Sequence, residues 1–408
     1  MHDSRNGNGD RTSGQIDYDL HGFVGIRLLH ATAKDAAAVA GQLGLPPVTL
    51  SREPDIVIRF VEDLPVTSPL RCLGVGDAAF TDDAFLILRA RHKTRAKVQI
   101  PFERIGRACE IVCESGLPGV PLLIEILNMT MLAKGVIPIH ASAFAYDGVG
   151  VLAVGWSQGG KTEALLAMMA QGAQYVGDEW VYVSRDGRTM YGIPQPIRVW
   201  DWHLQDMPAY KNRVGIGALL RLRALKAARF LGRTLSRGIA GRLMPVGTLN
   251  RFVALLDRQL NVDVSPSQLF GPEHGVKAAT FDRLLLVVSH DLPGVMVEPV
   301  DPGEVARRMV SSLREERSRL MSYYQKFLFA FPGRVNPLLE QADEIHGLML
   351  SRVFAGKPAY AIYHPYPMRL SCMFDTIRSL CRGGNRQEAA GRAGRAPVWT
   401  GPSKGGTP

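Results

Sequence analysis

Three observations predict an α/β fold. Short apolar runs separated by turn residues fill Asp17 to Arg91, a strand, a Gly-rich loop and a helix follow one another from Val149 to Gly172, and a charged amphipathic pattern covers Pro302 to Tyr324. The 408-residue length, with 46% hydrophobic residues, gives enough apolar material for two or three domains and excludes a disordered chain.

The N-terminal runs HGFVGIRLL, PDIVIRFV, LRCLGVG and AFLILRA read as strands, with Lys34 to Leu43 as a short helix. Pro121 to Lys134 has helical spacing and stops at Gly135, a residue that readily takes the backbone turn ending a helix. From Val136 to Val183 the reading is strand, turn, strand, loop, helix, strand. Arg283 to His290 is a further buried strand. The expected organisation is a disordered leader (1–15), a small N-terminal α/β module (16–130), a core (131–300) with a basic insert (211–251), a C-terminal helical region (301–380) and a disordered basic tail (381–408).

Five scattered cysteines, Cys72, Cys109, Cys113, Cys372 and Cys381, form neither paired CxxC halves nor a dense disulfide framework, which suits a reducing compartment. Cys109 and Cys113 lie one helical turn apart with nothing nearby to complete a metal shell, so they read as buried or idle thiols. The first residues lack an apolar core for a signal peptide. The stretch from Leu117 to Trp156 is interrupted by Glu125, Lys134, His140 and Asp147, so no transmembrane segment is expected and the cytoplasm is the expected location.

Gly155-Trp156-Ser157-Gln158-Gly159-Gly160-Lys161-Thr162 satisfies GxxxxGK[ST] between an apolar strand and a helix. Glycines there let successive backbone N–H groups turn inward and line an anion-sized hollow at a helix N-terminus. In that geometry the loop binds the phosphates of ATP, Lys161 pairs with the β and γ phosphates, and the Thr162 hydroxyl ligates Mg²⁺. The metal also needs a carboxylate, and Asp178-Glu179 ends the next strand. Adjacent strand residues point to opposite faces, so only one of the two can face the phosphate unless the backbone turns. Asp178 is the favoured metal ligand or proton acceptor, with Glu179 as the second acid. Glu163 reads equally as a metal residue or as an acid suited to the helix dipole. The Asp147-Gly148 turn folds the strand of His140 back against the one entering the loop, which leaves core, surface and active-site readings open for this imidazole.

The run IHASAFAYDGVGVLAVGWSQGGKTEALLAMMAQGAQYVGDEWVYV resembles the C-terminal catalytic domain of HPr kinase/phosphorylase, a bacterial serine kinase family whose nucleotide-binding core is similar to phosphoenolpyruvate carboxykinase. His140, the loop, the acid after Thr162 and the early acidic pair occur in the family's order. The resemblance implies a P-loop kinase core of that type, with His140 and Asp178 catalytic, Lys161 and Thr162 at the phosphates and Mg²⁺, and a Ser or Thr hydroxyl of a protein or peptide as acceptor. VDVSPSQLFGPE resembles the family's Leu-Phe-Gly segment more faintly. Glu179 stands where the family has Asp, and its Glu-Val-Arg-Gly-like signature is missing from Arg251 to Phe270. Those departures leave HPr itself and phosphorylase activity outside what the likeness implies. A nucleotide-binding sensor with little turnover is the alternative expectation. Carboxykinase chemistry would need an added metal-binding His and Lys set, which the sequence does not offer.

The formal net charge is +10, and the segment 211–251 alone carries ten Lys and Arg (Lys211, Arg213, Arg221, Arg223, Lys226, Arg229, Arg233, Arg237, Arg242, Arg251) and no acid. Interleaved leucines make it one or two amphipathic helices, read either as a solvated charged face or as a docking surface for an anionic partner. No nucleic-acid reader motif accompanies it, so nucleic acid is not the expected partner. A homo-oligomer is compatible with the sequence without being specified by it. Gly192 to Trp200 reads as a Pro-rich crossover with a packed Trp, ahead of a phosphate contact by Arg198 or a base contact by Trp200, and Tyr363 to Pro367 reads as a packing loop.

Overall fold

A computed structural model describes residues 14–66, 68–74, 76–89, 95–237, 246–271, 278–366 and 368–382. The expected leader therefore lies almost wholly outside the described residues, as do Arg242 and the tail beyond Arg382. The architecture is mixed α/β, with two large mixed sheets and a two-stranded ribbon.

The first sheet has eight strands in the order β1-β2-β3-β8-β7-β6-β5-β4. They are β1 (Ile16–Leu20), β2 (Val24–Leu29), β3 (Ile56–Val61), β4 (Arg71–Leu73), β5 (Ala78–Phe80), β6 (Phe85–Arg89), β7 (Arg95–Gln99) and β8 (Cys109–Glu114). In β3 the sequence IVIRFV alternates buried and half-buried residues, as one face against a core requires. Helix α1 (Ala33–Leu43) starts at a capping box, where Thr32 accepts from the Asp35 N–H and Asp35 accepts from the Thr32 N–H. It stops at Gly44, which takes a left-handed conformation. The four-residue spacing of Cys109 and Cys113 is two strand repeats, not a helical turn. Both thiols face inward from β8, and burial pushes each up to about 12, so they are inert.

Helix α2 (Leu123–Ala133) leads to the second sheet, whose path is β16-β13-β12-β9-β10-β17-β19-β18, with β11 also paired to β9. Its central strand β9 (Ile137–Tyr146) is joined to antiparallel β10 (Val149–Val154) by Asp147-Gly148, both at positive φ, the turn that matches strand twist. Helix α3 (Lys161–Met169) follows β10 through the glycine loop. Strands β11 (Gln174–Gly177) and β12 (Trp180–Val183) both pair with β9, and β13 (Thr189–Gly192) lies beyond β12. Strand β17 (Arg283–His290) runs parallel to β10, and β19 (Ala359–Pro365) runs parallel to β17; β16 (Ala279–Thr280) and β18 (Met296–Pro299) are the edges.

Between β13 and β16 the chain leaves the sheet. Strand β14 (Ile197–Trp200) pairs with β15 (Asn261–Val264), and this excursion also carries α4 (Asp201–Asp206), α5 (Pro208–Lys211), α6 (Ile216–Arg237), α7 (Val246–Asp257) and α8 (Pro266–Phe270), with Leu204, Leu222, Leu269 and Phe270 in one core with the ribbon. Trp200 thus sits in a strand rather than a loose crossover, and Arg198 pairs with Asp263 at 3.2 Å.

The C-terminal region departs from the expected helical pattern in two places. The Pro302 to Tyr324 pattern is divided at Arg317 into α9 (Pro302–Glu316) and α10 (Ser318–Ala330), and the Arg317 guanidinium turns inward to His346 and Asp343. Tyr363 to Pro365, read as loop, is the end of β19 inside the sheet. Helices α11 (Pro337–Glu340), α12 (Ala342–Phe354) and α13 (Leu370–Arg382) complete the chain. One apolar core joins the first sheet and α2 to Leu320, Tyr324, Phe327 and Leu339, so α10 and α11 pack with the N-terminal strands. Tyr323 and Lys326 of α10 also reach Asp77 beside β5.

Candidate active site

The glycine loop occupies the carboxyl end of β10, next to β17, where open α/β sheets place their ligand crevices. Two of its glycines answer to crowding. A Cβ on Gly155 would lie 2.4 Å from the Val287 carbonyl oxygen, and one on Gly160, at φ +103°, would lie 2.1 Å from His364 Nε2. A side chain at either position would collide with Val287 of β17 or His364 of β19 and push the loop away. Gln158 also adopts positive φ, and Trp156 is exposed at the rim.

Lys161 opens α3 and is buried, its Nζ donating to the Trp156 carbonyl at 2.8 Å and the Gly155 carbonyl at 3.2 Å. Burial lowers its pKa, against the pull of Asp178, Glu179, Glu316 and Glu163. Thr162 Oγ1 donates to Asp178, 3.1 and 3.2 Å from its two oxygens. Ser142 Oγ donates to the same carboxylate. Asp178 is fully enclosed, and burial together with neighbouring Glu179 pushes it up to about 6, with Ser142, Thr162 and Lys161 pulling the other way.

The alternation that would separate the two acids is broken between β11 and β12. Glu179 has φ +65°, and the Trp180 N–H bonds back to the Asp178 carbonyl at 2.8 Å. This turn brings both carboxylates to one group of side chains. Asp178 meets Thr162 and Ser142, while Glu179 Oε2 lies 3.2 Å from His140 Nε2. His140 and Ser142 share a face of β9 because they are two residues apart. On its other side, His140 Nδ1 lies 2.6 Å from Glu316 Oε1 at the end of α9. Burial opposes a charged imidazole here, but the Glu179 and Glu316 carboxylates outweigh it and hold the pKa above the ordinary value.

Glu163 goes elsewhere. The Trp200 N–H donates to His203 Nδ1 at 3.1 Å, so His203 carries its proton on Nε2 and donates to Glu163 Oε1 at 3.3 Å. Burial disfavours the charged Glu163, and His203 more than compensates, so its pKa is lowered. Of the four residues expected at a metal, Thr162 and Asp178 are in contact, Glu179 turns to His140, and Glu163 braces α3 against α4. Among the described residues, no group of three His, Cys, Asp or Glu forms a metal cage.

Sequence reasoning missed four members of this group. Ser142 was accessible through its two-residue spacing from His140. His364, whose Nε2 donates to the Gly159 carbonyl at 3.0 Å, lay in the Tyr363 to Pro367 run assigned to packing. Glu316 and His203 belong to elements whose approach no local pattern announces.

No family model matches the chain, and no curated protein matches it. Among solved structures, the Hpr(Ser) kinase/phosphatase from Coxiella burnetii is similar at 15% identity over 47% of this chain and 97% of that one, with a TM-score of 0.17. A superposition that loose carries no weight, so the functional reading rests on the residues themselves.

Proposed function

We propose that the chain is an ATP-dependent phosphotransferase with a P-loop kinase core of the HPr kinase type, acting on a hydroxyl, most naturally a Ser or Thr of a protein or peptide. The single observation that supports this most is the contact between Thr162 and Asp178, which joins the glycine loop to a buried acid with His140 close by. Gly155 and Gly160 let the loop lie against Val287 and His364, where a Cβ would collide, and so hold it in its turn at the start of α3. Thr162 Oγ1 and Asp178 are the donors that would hold Mg²⁺, an ion that commonly takes one or two protein carboxylates or hydroxyls and completes its shell with phosphates and water. When bound, Mg²⁺ neutralises charge on the transferring phosphoryl group.

The residues divide the remaining work. Lys161 leaves its loop carbonyls to pair with phosphate oxygens. Asp178, whose two oxygens both lie within reach of Thr162, can give one oxygen to the metal and take the acceptor's proton on the other. The acceptor oxygen forms its bond to the γ phosphorus, the bond from that phosphorus to the β–γ bridging oxygen breaks, ADP leaves, and the hydroxyl proton passes to Asp178. His140, between Glu179 and Glu316, positions the Glu179 carboxylate beside Asp178.

The test is incubation of purified protein with γ-labelled ATP and Mg²⁺ in extract of its own cells. One discrete labelled product is expected, lost in Asp178→Asn while ATP still binds, with turnover lowered at least ~100-fold. Lys161→Ala should lose ATP binding itself. Saturable ATP binding with no labelled product would assign the chain to nucleotide sensing instead.

A further inference from the structure

Helix α6 has two apolar sides. Leu219 and Leu222 face the body of the protein, where Leu222 is buried and Leu219 packs against the same core. On the opposite side Ile216, Leu220, Ala224, Ala227 and Leu231 follow one another at steps of three or four residues, with Phe230 beside them, and all six are exposed. Ile216 is 78% exposed, Leu220 55%, Phe230 70% and Leu231 59%, so the large side chains of this stripe are left in water. A contiguous apolar surface of this kind marks a binding face.

The charges around it are basic. Arg221 at one border donates to the Gln259 carbonyl at 3.3 Å, Lys226 stands at the other, and Arg223 sits within the stripe with no carboxylate partner among the described residues. Asp201 holds Lys226, and Asp257 holds Arg229 and Arg233, on the inner flank. The segment 211–251 supplies no acid of its own.

We propose that α6 lies flat in the interface of an anionic lipid bilayer, its stripe among the acyl chains and its Arg and Lys heads among the lipid phosphates. A 22-residue helix is about 33 Å long, enough for several headgroups in a row. Aliphatic and aromatic side chains on one face with cations at its borders match an apolar slab beneath a negatively charged plane. A second copy docking stripe to stripe would bring Arg223 against its own kind, and nucleic acid offers nothing to Ile216 or Leu220. Among the described residues no helix is long and apolar enough to cross a membrane, so α6 rests on the surface.

Flotation of the full chain with vesicles tests this, one set mixing phosphatidylglycerol with phosphatidylcholine and one of phosphatidylcholine alone. Binding is expected to the mixed vesicles only, weakening as salt rises, and falling about tenfold or more in the double variant Leu220→Glu, Phe230→Glu. Arg223→Glu is the second variant should the first fail to fold, judged by thermal melting. Lys161→Ala should float like the parent, which separates this inference from the phosphotransfer reading. No flotation, equal flotation with phosphatidylcholine alone, or unchanged binding by a folded glutamate variant would overturn it. So would self-association that the same substitutions abolish without any lipid binding.

Discussion

Gly160 shows how closely the loop is bounded. Its φ of +103° disfavours any Cβ, and the space a methyl would need belongs to His364 Nε2. Gly160→Ala should therefore reduce ATP affinity at least about tenfold in a binding titration, through both strain and displacement of His364. Adding His364→Ala should restore only part of the loss, since it removes the clash and leaves the backbone strain. Full restoration would show that crowding alone mattered. The placement of the loop, Lys161 and Thr162 between β10 and α3, with Asp178 after the next strand, was legible in the sequence because it is ordered along one strand–loop–helix–strand run. The joint arrival of Asp178 and Glu179 was not, since it hangs on a positive φ at a glutamate, a conformation that residue rarely adopts.

The elements tell a similar story about range. Helices α1 and α2 were legible from spacing and stop signals, and Thr32→Ala should cost about 1 kcal/mol in denaturant unfolding by removing the cap that Thr32 and Asp35 share. Asp35 also accepts from the Gly116 N–H at 2.7 Å, so Asp35→Ala should cost more. The division of Pro302 to Tyr324 was invisible, because the amphipathic pattern continues across Arg317, whose partners His346 and Asp343 lie on α12. That division places Glu316 at a helix end beside His140. Glu316→Ala is expected to lower phosphotransfer turnover about tenfold with ATP binding unchanged, measured as a fall in kcat without a matching change in KM for ATP. β19 was missed for a different reason: prolines beside aromatic residues are usual in loops, and here they close an interior parallel strand.

At the scale of the whole molecule, acid should be destabilising through His346. The side chain is buried against Arg317, whose guanidinium donates to Nδ1 at 2.9 Å. Burial first, and then the Arg317 charge, lower its pKa from 6.5 to about 3. Below 6.5 the unfolded chain binds a proton at this residue that the folded chain refuses. Stability therefore falls as pH drops from 6.5 toward 3, by about 1.4 kcal/mol per pH unit for this one proton. His346→Gln, which keeps an acceptor without titrating, should flatten that part of a stability–pH curve measured by urea unfolding. A slope unchanged by the substitution would assign the acid sensitivity to other groups.

The core that joins the first sheet to α10 and α11 bears on how the protein is made. Strands β1 to β8 leave the ribosome long before Leu320, Tyr324 and Phe327 exist to cover them. At translation rates of about 5–20 residues per second, the nearly completed sheet waits on the order of 10 to 40 seconds for its last wall. Synthesis thus imposes an interval in which Phe85, Phe102 and their neighbours are available to other chains, and a holding chaperone is the natural companion of that interval.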